Sequence, residues 1–265
     1  MATTYLQTLN ELQKTNMAAI ITEMKRVGIV NPFTQAAILS IVSKESNFIW
    51  QAEKGYGKTA NEHIRKVFKA LAALTDKQLN ALKANDIAFF NAIYGGKYGN
   101  SATEGYKYRG RGPNQLTFKG NYASIGQRIG VDLVNNPDLL ITDANVAAKE
   151  VVDFFVREFE TGAKTGKLLQ FRTKDINGFT NLTDSLNAVF QANRGWNTTG
   201  GDPTGGLAKA QSRISEFQSI VNTVSEHKAA TGGGLLFLIL LGFAIANRKK
   251  LATAFNNIKT KQGKK

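Results

Sequence analysis

The sequence predicts a mainly α-helical protein with one long loop region near its middle and an apolar helix near its C-terminus. Three observations carry this reading. Apolar residues recur near helical spacing through most of the first 230 positions, no alternation of period two is long enough for a sheet, and 42% hydrophobic content over 265 residues can bury a sizeable core.

Residues 1–29 contain no Pro and no Gly before Gly28, and Leu6, Leu9, Leu12, Met17, Ile20, Ile21 and Met24 fall near one helical face. Residues 34–49, "TQAAILSIVSKESNFI", form an apolar helical run that ends on polar positions. Helices are expected next over 62–74 and 76–93, where β-branched runs are few. Between 94 and 122 the glycines gather with five of the seven tyrosines, Tyr94, Tyr98, Tyr106, Tyr108 and Tyr122, which marks a long structured loop of the kind that carries function. Helical patterns return over 143–160, 182–192 and 207–228, with "NRGWNTTGGDPTGG" as a loop before the last.

The remainder reads differently. Residues 229–247, "AATGGGLLFLILLGFAIAN", are an uncharged run of 19, followed at once by "RKK". At 1.5 Å per residue this is just long enough to span a bilayer, and the basic flank fits the side that stays behind. In 248–265, Leu251, Phe255 and Ile258 share a helical face among lysines, as an interfacial segment would. The start, "MATTYLQTLNELQ", lacks the basic and apolar regions of a signal peptide. The expected organisation is therefore a globular domain over 1–228, a transmembrane anchor over 229–247 and a basic tail over 248–265, with the protein held in a virion membrane or a host cell envelope.

Composition narrows the chemistry. With no cysteine, disulfides, zinc–thiolate sites and thiol nucleophiles are excluded together. His63 and His227 lie far apart, with no partner at metal-ligand spacing, so neither a metal nor another cofactor is expected. The net charge is +14, of which seven basic residues lie from position 230 onward, leaving about +7 on the first 229. Such a surface suits a polyanion, but charge alone does not choose among nucleic acid, membrane and cell wall.

In "IVSKESNFIWQAEKGYG", Glu45 stands near the end of an apolar helix and Glu53 follows eight residues later. A carboxyl group in apolar surroundings keeps its proton for a leaving oxygen, while an ionised partner activates water, and acid-catalysed glycoside cleavage needs such a pair. Spacing alone is weak support, because 20 acidic residues yield many such pairs and most of these are solvated surface. Glu104 is a rival for the second carboxylate.

The stretch "KYRGRGPNQLTF" followed by "GNYASIGQRIGVDLVNNPDLL" resembles the family 19 chitinase-type glycoside hydrolases, including phage endolysins of the same lysozyme-like fold. The match is dense over 106–140, reaches up to "KESNF" and, more weakly, down to "QANRGWN" and Arg213, covering roughly 35–217. By this resemblance Glu45 is the general acid, Glu53 the general base and Thr117 the hydroxyl that holds the attacking water. The implied mechanism is inverting, with carboxyl groups about 6.5–9.5 Å apart. Two departures stand out: Lys44 replaces the family's usual histidine before the acid, and the spacing to Glu53 is one residue shorter than in many endolysin relatives.

Substrate contacts are expected from the same loop. Gly110 and Gly112 allow the backbone close to a sugar chain, and Asn114, Gln115 and Asn121 offer amides to hydroxyl and N-acetyl groups. Tyr106, Tyr108 and Trp50 are candidates to stack on pyranose faces, with core packing as the alternative for an aromatic. Arg109 is placed with them, although residues such as it and Arg111 more often pair with carboxylates or fix a loop than contact substrate. The expected partners are bacterial peptidoglycan as substrate and a lipid membrane through the C-terminal helix, with no specific nucleic acid. Chitinase, lytic transglycosylase and a non-catalytic wall-binding protein are the alternatives.

Overall fold

The computed structural model describes residues 4–196, 202 and 205–231. In chain order its helices are α1 (Glu11–Arg26), α2 (Pro32–Ser46), α3 (Asn61–Val67), α4 (Asp76–Lys83), α5 (Asp86–Tyr94), α6 (Lys119–Ile129), α7 (Leu139–Thr142), α8 (Ala144–Lys164), α9 (Leu182–Asn193), α10 (Gly206–Gln211) and α11 (Ile214–Thr231). No strand forms among the described residues, only isolated antiparallel bridges from Arg111 to Ala52 and to Leu116. The mainly α expectation holds, and the chain divides into two compact units, Met1–Ile49 with Phe154–Lys265, and Trp50–Asp153.

In the first unit α2 is the central element. Its run "PFTQAAILSIVS" carries no charge before Lys44, and every residue from Thr34 to Ser43 is buried. A helix apolar on all sides must be surrounded, and α1, α9, α10 and α11 pack against it. Asn31 caps its start, accepting from the backbone N–H groups of Phe33 (2.9 Å) and Thr34 (3.2 Å), with Pro32 in the first turn. Its far end is stopped by two consecutive left-handed residues, Asn47 (φ 53°) and Phe48 (φ 56°).

The second unit holds two apolar clusters. One joins Ile64, Leu71, Leu79, Phe89, Phe90 and Ile93 from α3, α4, α5 and the turn between them. The other joins Tyr108, Tyr122, Ile125, Leu133, Leu140 and Val146. The loop from Gly95 to Phe118 belongs to this unit and is tied into both clusters by its tyrosines.

Several boundaries differ from expectation. The helix expected over 76–93 breaks at Asn85, whose side chain accepts from Ala88 N (3.0 Å) and starts α5 anew. The last helix breaks likewise at Ser212 and Arg213, between α10 and α11. Helix α6 was not expected, because "KGNYASIGQRIG" carries glycines that lower helix propensity. Gly126 is needed there: a Cβ would stand 2.6 Å from Val131 O, where the chain turns back after Gly130.

The expected localisation at a membrane is corrected. Among the described residues no helix is long and apolar enough to cross a membrane. Positions 229–231 form the last turn of α11, while 232–247 and the basic tail over 248–265 lie outside the described residues.

Candidate active site

Glu53 sits in the extended segment between α2 and α3, where its backbone N–H donates to Gly110 O (2.7 Å) beside the Ala52–Arg111 bridge. Three donors converge on its carboxylate. The Tyr56 hydroxyl donates to Oε1 (2.7 Å), the Tyr94 hydroxyl lies 3.0 and 3.1 Å from Oε1 and Oε2, and Gly110 N–H points at Oε2 (3.3 Å). Burial, and with it the carboxylate they face, pushes both phenols well above the usual tyrosine range, so they remain donors. A Cβ on Gly110 would stand 2.9 Å from Gln115 Oε1 and 3.3 Å from Glu53 Oε2, so both side-chain tips would have to give way.

Arg109 and Arg111 hold the loop together. Arg109 donates to Glu53 O (3.3 Å) and Tyr106 O (2.8 Å), and its guanidinium covers the Tyr106 ring at 3.9 Å. Arg111 is buried; it pairs with Asp138 (2.6 Å) and donates to the carbonyls of Lys107 (2.7 Å) and Arg109 (3.2 Å). Glu104 accepts from Ser101 N (2.8 Å) and pairs with Lys119 (2.9 Å). The Ser101 N–H, then the Lys119 side chain, hold its carboxyl below the usual range. Both its oxygens are therefore engaged within its own loop.

Several expected substrate contacts are corrected. Tyr108 is fully buried, its hydroxyl donating to Val134 O (3.0 Å), and Trp50 is buried as well, so neither offers a face to a sugar. Tyr122 is buried too, donating to Arg109 O (2.9 Å), and burial pushes its phenol up to about 12. Tyr106 is half-buried against Phe90, with Arg109 on its ring. Gly112 serves a left-handed turn (φ 75°) packed on Leu140 rather than an approach to substrate. The Asn114 amide is turned inward to the buried Glu150 carboxylate (3.2 and 3.3 Å).

Three amide and hydroxyl positions remain open. Gln115 is exposed, in the left-handed region (φ 52°), its Nε2 donating to Gln51 O (3.1 Å). Thr117 Oγ1 donates to Gln115 O (2.9 Å), and the exposed Asn121 donates to Thr117 O (2.8 Å). Together they border the loop that carries Gly110 and, through it, the Glu53 carboxylate.

Glu45 belongs to the first unit, in the last turn of α2. Its surroundings are polar, not apolar as expected. The side chain is 37% exposed, and Oε1 accepts from Lys44 Nζ (2.7 Å) and from Asn193 Nδ2 (2.8 Å) at the end of α9. Lys44 lies against Gly206, where a Cβ would stand 2.2 Å from Lys44 Cε. The turn after Glu45 is held from the N-terminal segment: the Tyr5 hydroxyl donates to Asn47 Oδ1 (2.6 Å), Gln13 to Asn47 O (2.8 Å) and Asn16 to Phe48 O (2.8 Å). Arg213 donates to Ser43 O (3.1 Å) and stacks on Tyr5 at 3.9 Å. In "QANRGWN", the buried Trp196 donates to Glu158 O (2.6 Å) over Gly162.

Sequence reasoning missed Tyr56 and Tyr94 as partners of Glu53 and Asn193 as partner of Glu45. The "GYG" after Glu53 was visible, but nothing in the pattern tied Tyr94, 41 positions on, to the same carboxylate.

Residues 91–209 match the family model described as Chitinase class I. The chain is 32% identical over 129 residues to Endochitinase 1 of Theobroma cacao, covering 45% of this chain and 37% of that protein. It is 31% identical over 156 residues to the Acidic 27 kDa endochitinase of Solanum lycopersicum, covering 54% and 62%. It is also 33% identical over 101 residues to the Inactive chitinase-like protein 1 of Hevea brasiliensis, covering 35% and 32%. The chain thus spans less than two thirds of the length of these curated relatives. The "YRGRGPNQLT" loop lies inside the matched stretch, so residues 91–209 are similar to the family 19 chitinase-type glycoside hydrolases.

Proposed function

We propose that the protein hydrolyses β-1,4 glycosidic bonds of an N-acetylhexosamine polysaccharide by an inverting acid/base mechanism. The observation that carries this is the set of donors on Glu53. Two phenols and a backbone N–H hold the carboxylate in one orientation, yet a carboxylate has about four acceptor sites, so a lone pair remains for a water molecule. Glu53 is the general base and takes a proton from that water as its oxygen bonds to the anomeric carbon. The general acid is assigned to Glu45 on the family resemblance, since its Oε1 faces Lys44 and Asn193 rather than apolar groups; in that role it gives its proton to the departing glycosidic oxygen. Thr117 supplies the hydroxyl that positions the water, and Gln115 and Asn121 supply amides to the sugar.

The glycan we propose is bacterial peptidoglycan, on the basis of the +14 net charge, which favours association with an anionic wall. A second reading, chitin, is favoured by the names of the relatives, which are endochitinases. Mass spectrometry of the products from purified peptidoglycan and from chitin separates them. Reducing muropeptides support the first reading and chitooligosaccharides the second. Anhydro-muropeptides overturn hydrolysis in favour of transglycosylation, and no product from either substrate overturns catalysis altogether.

A further inference from the structure

Tyr98 has no part in the roles assigned above, and its placement is unusual. It lies in the left-handed region (φ 45°), as does Phe118 (φ 73°), a conformation that bulky residues rarely adopt. Their rings meet at 4.7 Å, and Phe118 in turn meets Tyr94 edge-on at 5.3 Å. Tyr94 is the residue that donates to both oxygens of Glu53. A continuous aromatic row therefore leads from the carboxylate to the surface, and it ends on a tyrosine that is 75% exposed.

The loop holds Tyr98 there firmly. Gly120 N–H donates to Tyr98 O (3.0 Å), and a Cβ on Gly120 would stand 2.9 Å from that oxygen. The buried Asn100 donates to Tyr94 O (2.9 Å) and accepts from Lys119 N (2.8 Å), which ties the loop to the start of α6. Strained backbone persists where its surroundings over-determine it, and such residues gather at ligand clamps. Folding gains little from an aromatic ring left three-quarters in water.

We propose that Tyr98, backed by Phe118, is a glycan-stacking platform that takes the apolar face of a hexosamine ring some distance along the chain from the cleaved bond. This rests on the reading of the protein as a glycan hydrolase. A pyranose presents axial C–H groups on one face, and an exposed ring already held in place gains that contact without first losing rotamer freedom.

The test is titration calorimetry with β-1,4-linked N-acetylglucosamine dimer and hexamer, and with glycan strands prepared from peptidoglycan, using Glu53→Gln protein to stop turnover. Adding Tyr98→Ala should weaken hexamer or strand binding about two- to tenfold and leave dimer binding unchanged, while Tyr98→Phe and Tyr98→Trp restore it. Thermal unfolding checks that each variant is folded, and Tyr98→Gly, which releases the left-handed strain, supplies a second ring-less variant. Hexamer and strand binding unchanged in folded Tyr98→Ala and Tyr98→Gly overturns the platform. In a parallel assay with Glu53 intact, binding that depends on Tyr98 without any hydrolysis supports the platform and overturns the hydrolase reading. Hydrolysis with the same KM in Tyr98→Ala overturns the platform alone, and binding of neither glycan by the parent protein overturns both.

Discussion

The Tyr94 hydroxyl lies 3.0 Å from one carboxylate oxygen of Glu53 and 3.1 Å from the other, so its single proton is shared between the two. Tyr56 donates to Oε1 alone, at 2.7 Å. Tyr94 therefore bridges the two oxygens, and Tyr56 adds a second donor at Oε1. Tyr94→Phe should lower kcat about tenfold with little change in KM, since the group acts through Glu53 and not on bound sugar. Tyr56→Phe with Tyr94→Phe should approach the loss of Glu53→Gln. Steady-state kinetics of the single and double variants check this, and equal kcat in all of them sinks the positioning role.

Glu45→Gln and Glu53→Gln should each lower hydrolysis by at least about a hundredfold, the scale of losing a general acid or base. Glu104→Gln should lose much less, because both oxygens of Glu104 are occupied by Ser101 and Lys119. An inactive Glu104→Gln beside an active Glu53→Gln would transfer the base to Glu104. Thr117→Val should slow turnover about ten- to a thousandfold without unfolding the protein, and wild-type rates there exclude its water-holding role.

Glu104 also predicts a pH dependence of stability. Its folded pKa lies below the ordinary 4.5, chiefly through the Ser101 N–H and then Lys119. The unfolded chain therefore binds the proton more readily, and the contribution is present in full above about pH 4.5 and lost as pH falls through the lowered value. Thermal melts of wild type and Glu104→Gln should differ at pH 7 and converge in acid; a gap that is constant with pH would show that charge plays no part.

Asn16 is 2% exposed and donates to Phe48 O. Asn16→Leu leaves a buried carbonyl without that donor, at a loss of about 1–3 kcal/mol in chemical denaturation. The change falls in the turn that follows Glu45, so activity measured on the folded fraction should drop as well. A denaturation midpoint equal to wild type would show that the carbonyl finds another donor.

The core of the first unit was plain in the sequence. The apolar run over 34–49 reads as a helix ending on polar positions, and the structure forms it as Pro32–Ser46, with Glu45 in its last turn. The glycine-rich loop was plain as well, but the tasks of its members were not. Tyr98 and Tyr108 look alike in sequence, yet one is exposed and the other fully buried, because burial depends on α6 and the segment from Val131 to Leu140 folding over one of them. Gly110 and Gly112 both read as room for a sugar, whereas one lies against the Gln115 and Glu53 side chains and the other against Leu140. Asn193 and Glu45 meet across 148 positions, a distance at which no local pattern speaks.

The contact between Lys44 and Gly206 makes the charge beside Glu45 a matter of volume. A methyl group at position 206 would overlap Lys44 Cε, at 2.2 Å, and Nζ, at 2.6 Å, so Gly206→Ala must push the flexible lysine tip aside. A residue with no polar side chain thereby governs whether an ammonium group stands next to the carboxylate, and it does so without touching Glu45. The two positions trade size for size. A chain with a shorter residue at 44 has room for a larger one at 206, whereas a chain that keeps the lysine must move its tip to take one.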